Sequence, residues 1–300
     1  EKHDRGNGRI FKIVYDDAKP VAVDLAKLGD RELAELQFHR NDWYVRQARQ
    51  VLQERAAAKV DLRAAHSQLM EMFNTETDVT RRLRAVWALY VSGGIDDRFA
   101  AGLVSGQRDE HLRAWGLRLL ADDGQIDFKV AHSLALQAGT EASPLVRLYL
   151  ASLLQRLPLD QRGELAVVLA ANKKDSDDHN LPLMIWYGIE PLVAKDHKWA
   201  IDLQRRSEIP LVRQLIARRV VEDIETRGDT VEQLIASALG TSNERLTDLV
   251  NGLSDGLRGW RKAPAPVNFP ILQSSSKRLD EATQAKVREL GVVFGDGRAL

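Results

Sequence analysis

The sequence predicts an all-α fold: a right-handed α-solenoid of paired-helix repeats, preceded by one short β-strand. Three observations predict it. Amphipathic helical periods fill most of the chain from Asp30 onward. An aliphatic–arginine pair recurs along them at intervals of 29 to 38 residues, with Leu183-Met184 standing in for it once. A proline lead-in to a new helix recurs as well, at Ser143-Pro144, Leu181-Pro182 and Ile209-Pro210; proline suits the first helical turn because the N–H it lacks has no partner there.

The strand comes first. Gly6-Asn7-Gly8 signals a turn, and Arg9–Tyr15 mixes β-branched and aromatic residues with partial alternation. A lone strand is not stable, so residues 1–15 are expected to be the last strand of an upstream domain. Asp30 and Asp42 then serve as N-caps, the second opening a helix with Val45, Ala48, Val51 and Leu52 on one face. Further helices are expected over Val79–Tyr90, Glu110–Leu120, Pro144–Leu157, Pro182–Val193, Pro210–Ile224, Asn243–Leu257 and Asp280–Leu290. Between the last two, Arg261–Lys277 carries Pro264, Pro266, Pro270 and three consecutive serines and reads as a linker. The expected division is therefore a strand at 1–15, a repeat region at 16–260, a linker at 261–278, and a further helix at 279–300 where the repeat region is cut.

The repeat lies in the details. The pairs are Val45-Arg46, Leu83-Arg84, Leu112-Arg113, Val146-Arg147 and Val212-Arg213, with Leu183-Met184 filling the gap without an arginine. Ala48, Ala85, Ala114, Ala151 and Ala217 follow, small enough to let neighbouring helices approach. Helix-pair repeats of 30–45 residues with uneven spacing indicate HEAT-like repeats. Arg46, Arg84, Arg113, Arg147 and Arg213 are expected to form a ladder with acids of adjacent repeats, the candidates being Asp42, Asp78 and Asp109; the alternative is a row of ligand-facing arginines.

Composition excludes several function classes. Lys+Arg and Asp+Glu are both 43, so the net charge is zero, unlike the basic footprint of a nucleic-acid binder. There is no cysteine, which excludes disulfides, thiolate metal sites, a C-x-x-C-H haem attachment and a cysteine nucleophile within these 300 residues. No apolar run approaches the roughly 18 residues of a membrane span. The seven histidines make no paired ligand spacing, and no phosphate-binding glycine loop or G-x-S-x-G is present. No catalytic residue, metal ligand or cofactor site is assigned.

One segment holds candidate site residues. Asp175–Leu192 brings an acidic loop, His179 and Asn180 against a helix with Trp186, Tyr187 and Glu190. Asp177, Asp178, His179 and Asn180 are of types used in metal binding or acid–base chemistry. The plainer reading is a loop that caps the helix starting near Pro182, with Glu190 a structural acid. Trp43, Trp87, Trp115 and Trp186 lie on helices beside basic residues, as in the base-stacking groove of some HEAT-like DNA glycosylases; core packing is the simpler role for them.

Three stretches together resemble one family. They are Gly8–Ile13 with Ala18-Lys19-Pro20; Asn41–Arg49 with Leu52-Gln53-Glu54-Arg55; and Asp178–Tyr187 with Glu190-Pro191-Leu192. The resemblance is to the PVC-type haem-binding, or membrane-bound dehydrogenase, multidomain proteins of planctomycetes and verrucomicrobia, and covers essentially the whole chain as their middle region. It implies a sugar-dehydrogenase-like β-propeller upstream, to which the strand at 9–15 would belong, and a c-type cytochrome domain downstream. It also implies an extracytoplasmic location. The expected function is a non-catalytic scaffold and protein-interaction module between those domains, without haem or other cofactor. Its partners would be neighbouring domains of a longer chain or another protein, with neither nucleic acid nor a membrane span. The alternative is a ligand-binding or enzymatic solenoid with a pocket of His179, Asn180, Trp186, Tyr187 and Glu190.

Overall fold

A computed structural model describes residues 21–295, together with Gly6, Gly8, Phe11 and Ile13. The strand expected over 9–15 falls, apart from Phe11 and Ile13, outside the described residues. Among the described residues the protein is all-α, with sixteen α-helices, four short 3-10 turns and no strand. The chain forms two compact units that divide between Gly94 and Ile95.

The first unit holds α1 (Asp30–Glu35), α2 (Asp42–Ala57), α3 (Arg63–Thr75) and α4 (Val79–Val91). Helix α1 packs on α3, and α2 on α4. The caps at α1 and α2 sit one residue earlier than the sequence predicts. Gly29 precedes α1, and Asn41 Oδ1 accepts the Trp43 N–H at 3.0 Å at the start of α2. Asp42 is thereby inside the helix, free to pair with cations. The expected cap at Asp78 is present, accepting the Arg81 N–H at 2.9 Å. The unit closes on Gly93, whose φ of 76° is a left-handed conformation that glycine adopts without a steric penalty.

The second unit runs through α5 (Asp97–Gly106), α6 (Glu110–Leu120), α7 (Phe128–Ala138), α8 (Pro144–Leu154), α9 (Arg162–Ala170), α10 (Leu181–Lys195), α11 (His197–Arg206), α12 (Pro210–Val221), α13 (Gly228–Ala238), α14 (Asn243–Gly256), α15 (Phe269–Ser276) and α16 (Glu281–Val293). Its helices stack in two rows. Helices α6, α8, α10, α12, α14 and α16 follow one another in one row, and α7, α9, α11 and α13 in the other. Within each row a helix thus meets the helix two places along the chain, which is the packing of repeats that contact their neighbours. Side-chain caps recur at many of the entries: Asp109, Asp127, Ser143, Asp196, Ser242 and Asp280 each accept a backbone N–H from the first turn of their helix.

The core lies between the rows. Leu150 and Leu154 of α8, Leu165 and Leu169 of α9, and Ile185 and Ile189 of α10 are all buried. Each such side chain contributes about 1.5–3 kcal/mol when removed from water. Small residues set the closest approaches. Gly188 of α10 faces Leu154, and Gly252 of α14 faces the Gln214 carbonyl and Ala217 of α12.

The stretch expected as a linker contains a helix. Phe269 and Leu272 of α15 are buried, and the Asn268 amide donates to the Glu232 carbonyl at 2.6 Å. Pro270 stands at the start of α15, where it costs the helix nothing.

Candidate functional site

The recurring arginines are tied into the structure. Arg147 of α8 donates from Nε to Asp175 Oδ2 at 2.7 Å and from Nη2 to Oδ1 at 2.5 Å. Its Nη1 donates to the carbonyls of Glu141 and Ala142. Arg113 of α6 repeats the pattern, binding both carboxylate oxygens of Glu141 and the carbonyls of Gln107 and Arg108. Arg213 of α12 binds Asp248 and Glu244 of α14 and the Ser207 carbonyl. Each of these three guanidiniums therefore clamps the loop before its own helix and reaches a carboxylate further along the chain. Planar forks suit this two-point recognition.

The acids differ from those the sequence proposes. Asp78 and Asp109 serve as helix caps, and the carboxylates for Arg113, Arg147 and Arg213 come from downstream. Only Arg84 uses a predicted acid from another helix, binding Asp42 at 3.2 Å and the carbonyls of Gln37 and His39. Arg46 is exposed and pairs with Asp42 within its own helix at 2.5 Å.

Burial raises what each link decides. Arg147 and Asp175 are 5% and 2% exposed, Arg213 and Asp248 1% and 5%. Hydrogen bonding to Asp175 holds the Arg147 guanidinium above its ordinary pKa, while burial pushes the Asp248 carboxyl up. In α10 the corresponding place, three residues after the helix-opening proline, is taken by the buried Ile185, one residue beyond the Met184 that the sequence pattern put there. Helix α10 is instead joined to α12 by Glu190, whose Oε1 accepts from Arg219 Nε at 3.3 Å.

The His179–Glu190 residues do not share one environment. Asp178 Oδ1 accepts the N–H groups of Asn180 and Leu181, both at 2.8 Å, and thereby caps α10. Those same bonds, Leu181 first, hold the Asp178 carboxyl below the usual carboxylate range. His179 and Asn180 stand exposed beside it. Trp186 is buried, Tyr187 is exposed, and Glu190 is held by Arg219. Pro191 lies inside α10, and the nearby Gly188 carbonyl accepts from Arg162 Nη1 at 2.7 Å. No group of three or more metal-ligating side chains occurs among the described residues.

The tryptophans divide. Trp186 fills the core, Trp43 is half exposed, and Arg49 lies over the Trp87 ring at 5.2 Å. Trp115 carries Arg118 over its face at 4.7 Å.

Helices α6 and α8, with Met184 of α10, form a surface groove of about 400 Å³ that the sequence reading missed. Leu148 lines it above the buried Leu117 and Leu153; Tyr149 and Ser152 add hydroxyls, and Arg118 and Arg156 add cations. A signal for this face does exist in the sequence. Trp115 and Tyr149 each stand two residues after a ladder arginine, and Tyr187 stands two after Ile185. The same register therefore carries an aromatic residue on three consecutive helices of the row.

No helix among the described residues is long and apolar enough to cross a membrane. No family model matches the chain, and no curated protein matches it.

Proposed function

We propose that the chain is a non-catalytic helical-repeat scaffold, whose repeats from α6 to α14 are fixed relative to one another and whose α6–α8–α10 face receives a protein partner. The observation that supports this most is the pair of buried links, Arg147–Asp175 and Arg213–Asp248, each joining one repeat to the next. A buried pair with all its donors and acceptors satisfied tolerates little displacement, because moving either partner strands a charge out of water. The residues best suited to chemistry serve structure instead: Asp178 caps a helix and Glu190 joins two.

The family resemblance gives the scaffold its context. In that arrangement the repeats would hold a sugar-dehydrogenase-like propeller and a c-type cytochrome at a fixed separation, outside the cytoplasm. Catalysis and haem would belong to those domains.

The absence of native cysteine makes the test direct. Exposed Lys129 of α7 and Arg288 of α16 are replaced as Lys129→Cys and Arg288→Cys and spin-labelled. A single narrow distance distribution is expected, and a broad one overturns the rigid-scaffold reading. Incubation with aldoses and an artificial electron acceptor should give no turnover; turnover would sink the non-catalytic assignment.

A further inference from the structure

His197 opens α11, which packs on α9, α10, α12 and α13, and its side chain is buried. Two unlike groups face the ring. Asp223 Oδ2, just after α12, lies 3.5 Å from Nε2. Arg227 Nη1, just before α13, lies 3.4 Å from Nδ1 and 3.5 Å from Nε2. One state of the ring answers both. It is neutral, with its proton on Nε2 toward the carboxylate and its Nδ1 lone pair accepting from the guanidinium. A second proton would put Nδ1–H against the Arg227 donor, at a helix N-terminus whose dipole already disfavours a cation. Arg219 of α12 adds a further cation, shared among Glu190, Glu222 and Asp223, and the adjacent Asp196 carboxylate accepts the Trp199 N–H. Other charges on the helices packed against α11 are engaged elsewhere or exposed. On α9, Arg162 donates to the Gly188 carbonyl and Glu164 pairs with His132. On α12, Arg213 and Arg218 have carboxylates of their own. Glu232 of α13 accepts the Val267 N–H, and Lys195 of α10 and Asp229 of α13 are exposed.

We propose that His197 and Arg227 form a proton-operated latch on the entry to α13, closed while the imidazole is neutral and released when it is protonated. The imidazolium keeps Asp223 and shares it with Arg219. Arg227 loses its acceptor, meets a like charge, and turns to the solvent it already borders. The backbone follows, because the Thr226 and Arg227 N–H groups both donate to the Asp223 carbonyl and the Arg227 carbonyl accepts from Thr230. Val231, Leu234 and Ile235 stay buried and anchor the body of α13, so the released stretch is confined to residues 224–230. Burial, and then Arg227, hold the imidazole below its ordinary pKa. The latch is therefore closed at neutral pH and opens on acidification.

The test is hydrogen–deuterium exchange of the whole chain, read by mass spectrometry from about pH 7.5 down to about pH 4.5 and corrected for intrinsic exchange rates. Protection over residues 224–230 should fall by about fivefold or more on acidification, while α8 stays unchanged. His197→Gln has no titrating group and should abolish that fall. Arg227→Gln, at an exposed position, should leave the stretch weakly protected at every pH and should raise the midpoint of the His197 titration followed by NMR. Unchanged protection of 224–230 across the pH range overturns the latch. So does a fall of the same size in His197→Gln, or an equal fall in α8, which would make the effect global. Circular dichroism checks that each variant is folded. If His197→Gln does not fold, Arg227→Gln decides alone, and a pH-dependent fall as large as the parent's overturns the proposal.

Discussion

Arg147 and Asp175, 28 residues apart, meet through two hydrogen bonds while almost wholly withdrawn from water. The same guanidinium holds the carbonyls of Glu141 and Ala142. One side chain thus fixes the loop before α8 and the loop before α10. Since Glu141 is itself the carboxylate partner of Arg113, the links run on from α6 through α8 to α10.

Removing one partner strands the other. Arg147→Met leaves the Asp175 carboxylate buried and unpaired, and should destabilise the protein by about 3–5 kcal/mol. The double variant Arg147→Met/Asp175→Leu removes both charges and should recover most of that loss. Urea denaturation of the two variants and the parent checks it. A single variant no less stable than the double one would show that the pair is not the constraint.

Helix packing makes a second point testable. A Cβ at Gly252 would meet the Gln214 carbonyl and Ala217 of α12, neither of which can swing aside. Gly252→Ala should therefore cost about 1–3 kcal/mol through overpacking, despite the better helix propensity of alanine. Thermal unfolding measures this, and a raised Tm would contradict it.

The loop before α10 should separate capping from chemistry. Asp178→Ala removes the acceptor for two backbone N–H groups and should cost about 1 kcal/mol. His179→Ala, at an exposed position, should change stability by no more than about 0.5 kcal/mol. Chemical denaturation distinguishes them, and a larger effect at His179 than at Asp178 would reverse the assignment.

His197 gives a pH dependence. It is buried at the start of α11, with Asp223 Oδ2 3.5 Å from Nε2 and Arg227 Nη1 3.4 Å from Nδ1. Burial first, and then Arg227, hold its pKa below the ordinary imidazole value; Arg219 acts the same way, against Asp223 and Asp196. The unfolded chain therefore takes up this proton at higher pH than the folded one. The stability contributed by neutral His197 is complete above the ordinary value of about 6.5 and is lost as pH falls from there through the lowered folded value. His197→Gln should flatten that part of the stability–pH curve, and an unchanged slope would locate it elsewhere.

Much of the fold is readable from local signals. Glu110–Leu120 matches the sequence expectation at both ends, and Pro144 and Pro210 begin helices as expected. The arginine recurrence is also local, and marks residues that join repeats. Their partners are not local. Glu141, Asp175 and Asp248 have no repeated sequence context, and only packing of one helix on the next brings them within reach. Asp78 and Asp109 look equally suitable in sequence, but their position before a helix commits their oxygens to backbone N–H groups. The division after Gly94 is likewise set by tertiary contacts, and Gly93-Gly94 alone reads as an ordinary turn. At the candidate site, the capping by Asp178 was legible. The groove was not, because its residues come from three helices, and the aromatic register of Trp115, Tyr149 and Tyr187 marks the face without showing that the helices leave a groove there.

Ile185 gives the row one uneven joint. Where its neighbours in the repeat carry a buried guanidinium, α10 meets α12 through Glu190 and Arg219, whose side chains are 40% and 24% exposed. Mobile ions screen such a pair far more than one withdrawn from solvent. Rising ionic strength therefore loosens the α10–α12 joint while leaving the Arg147 and Arg213 links intact, so this joint is a place where the electrolyte around the row sets its stiffness.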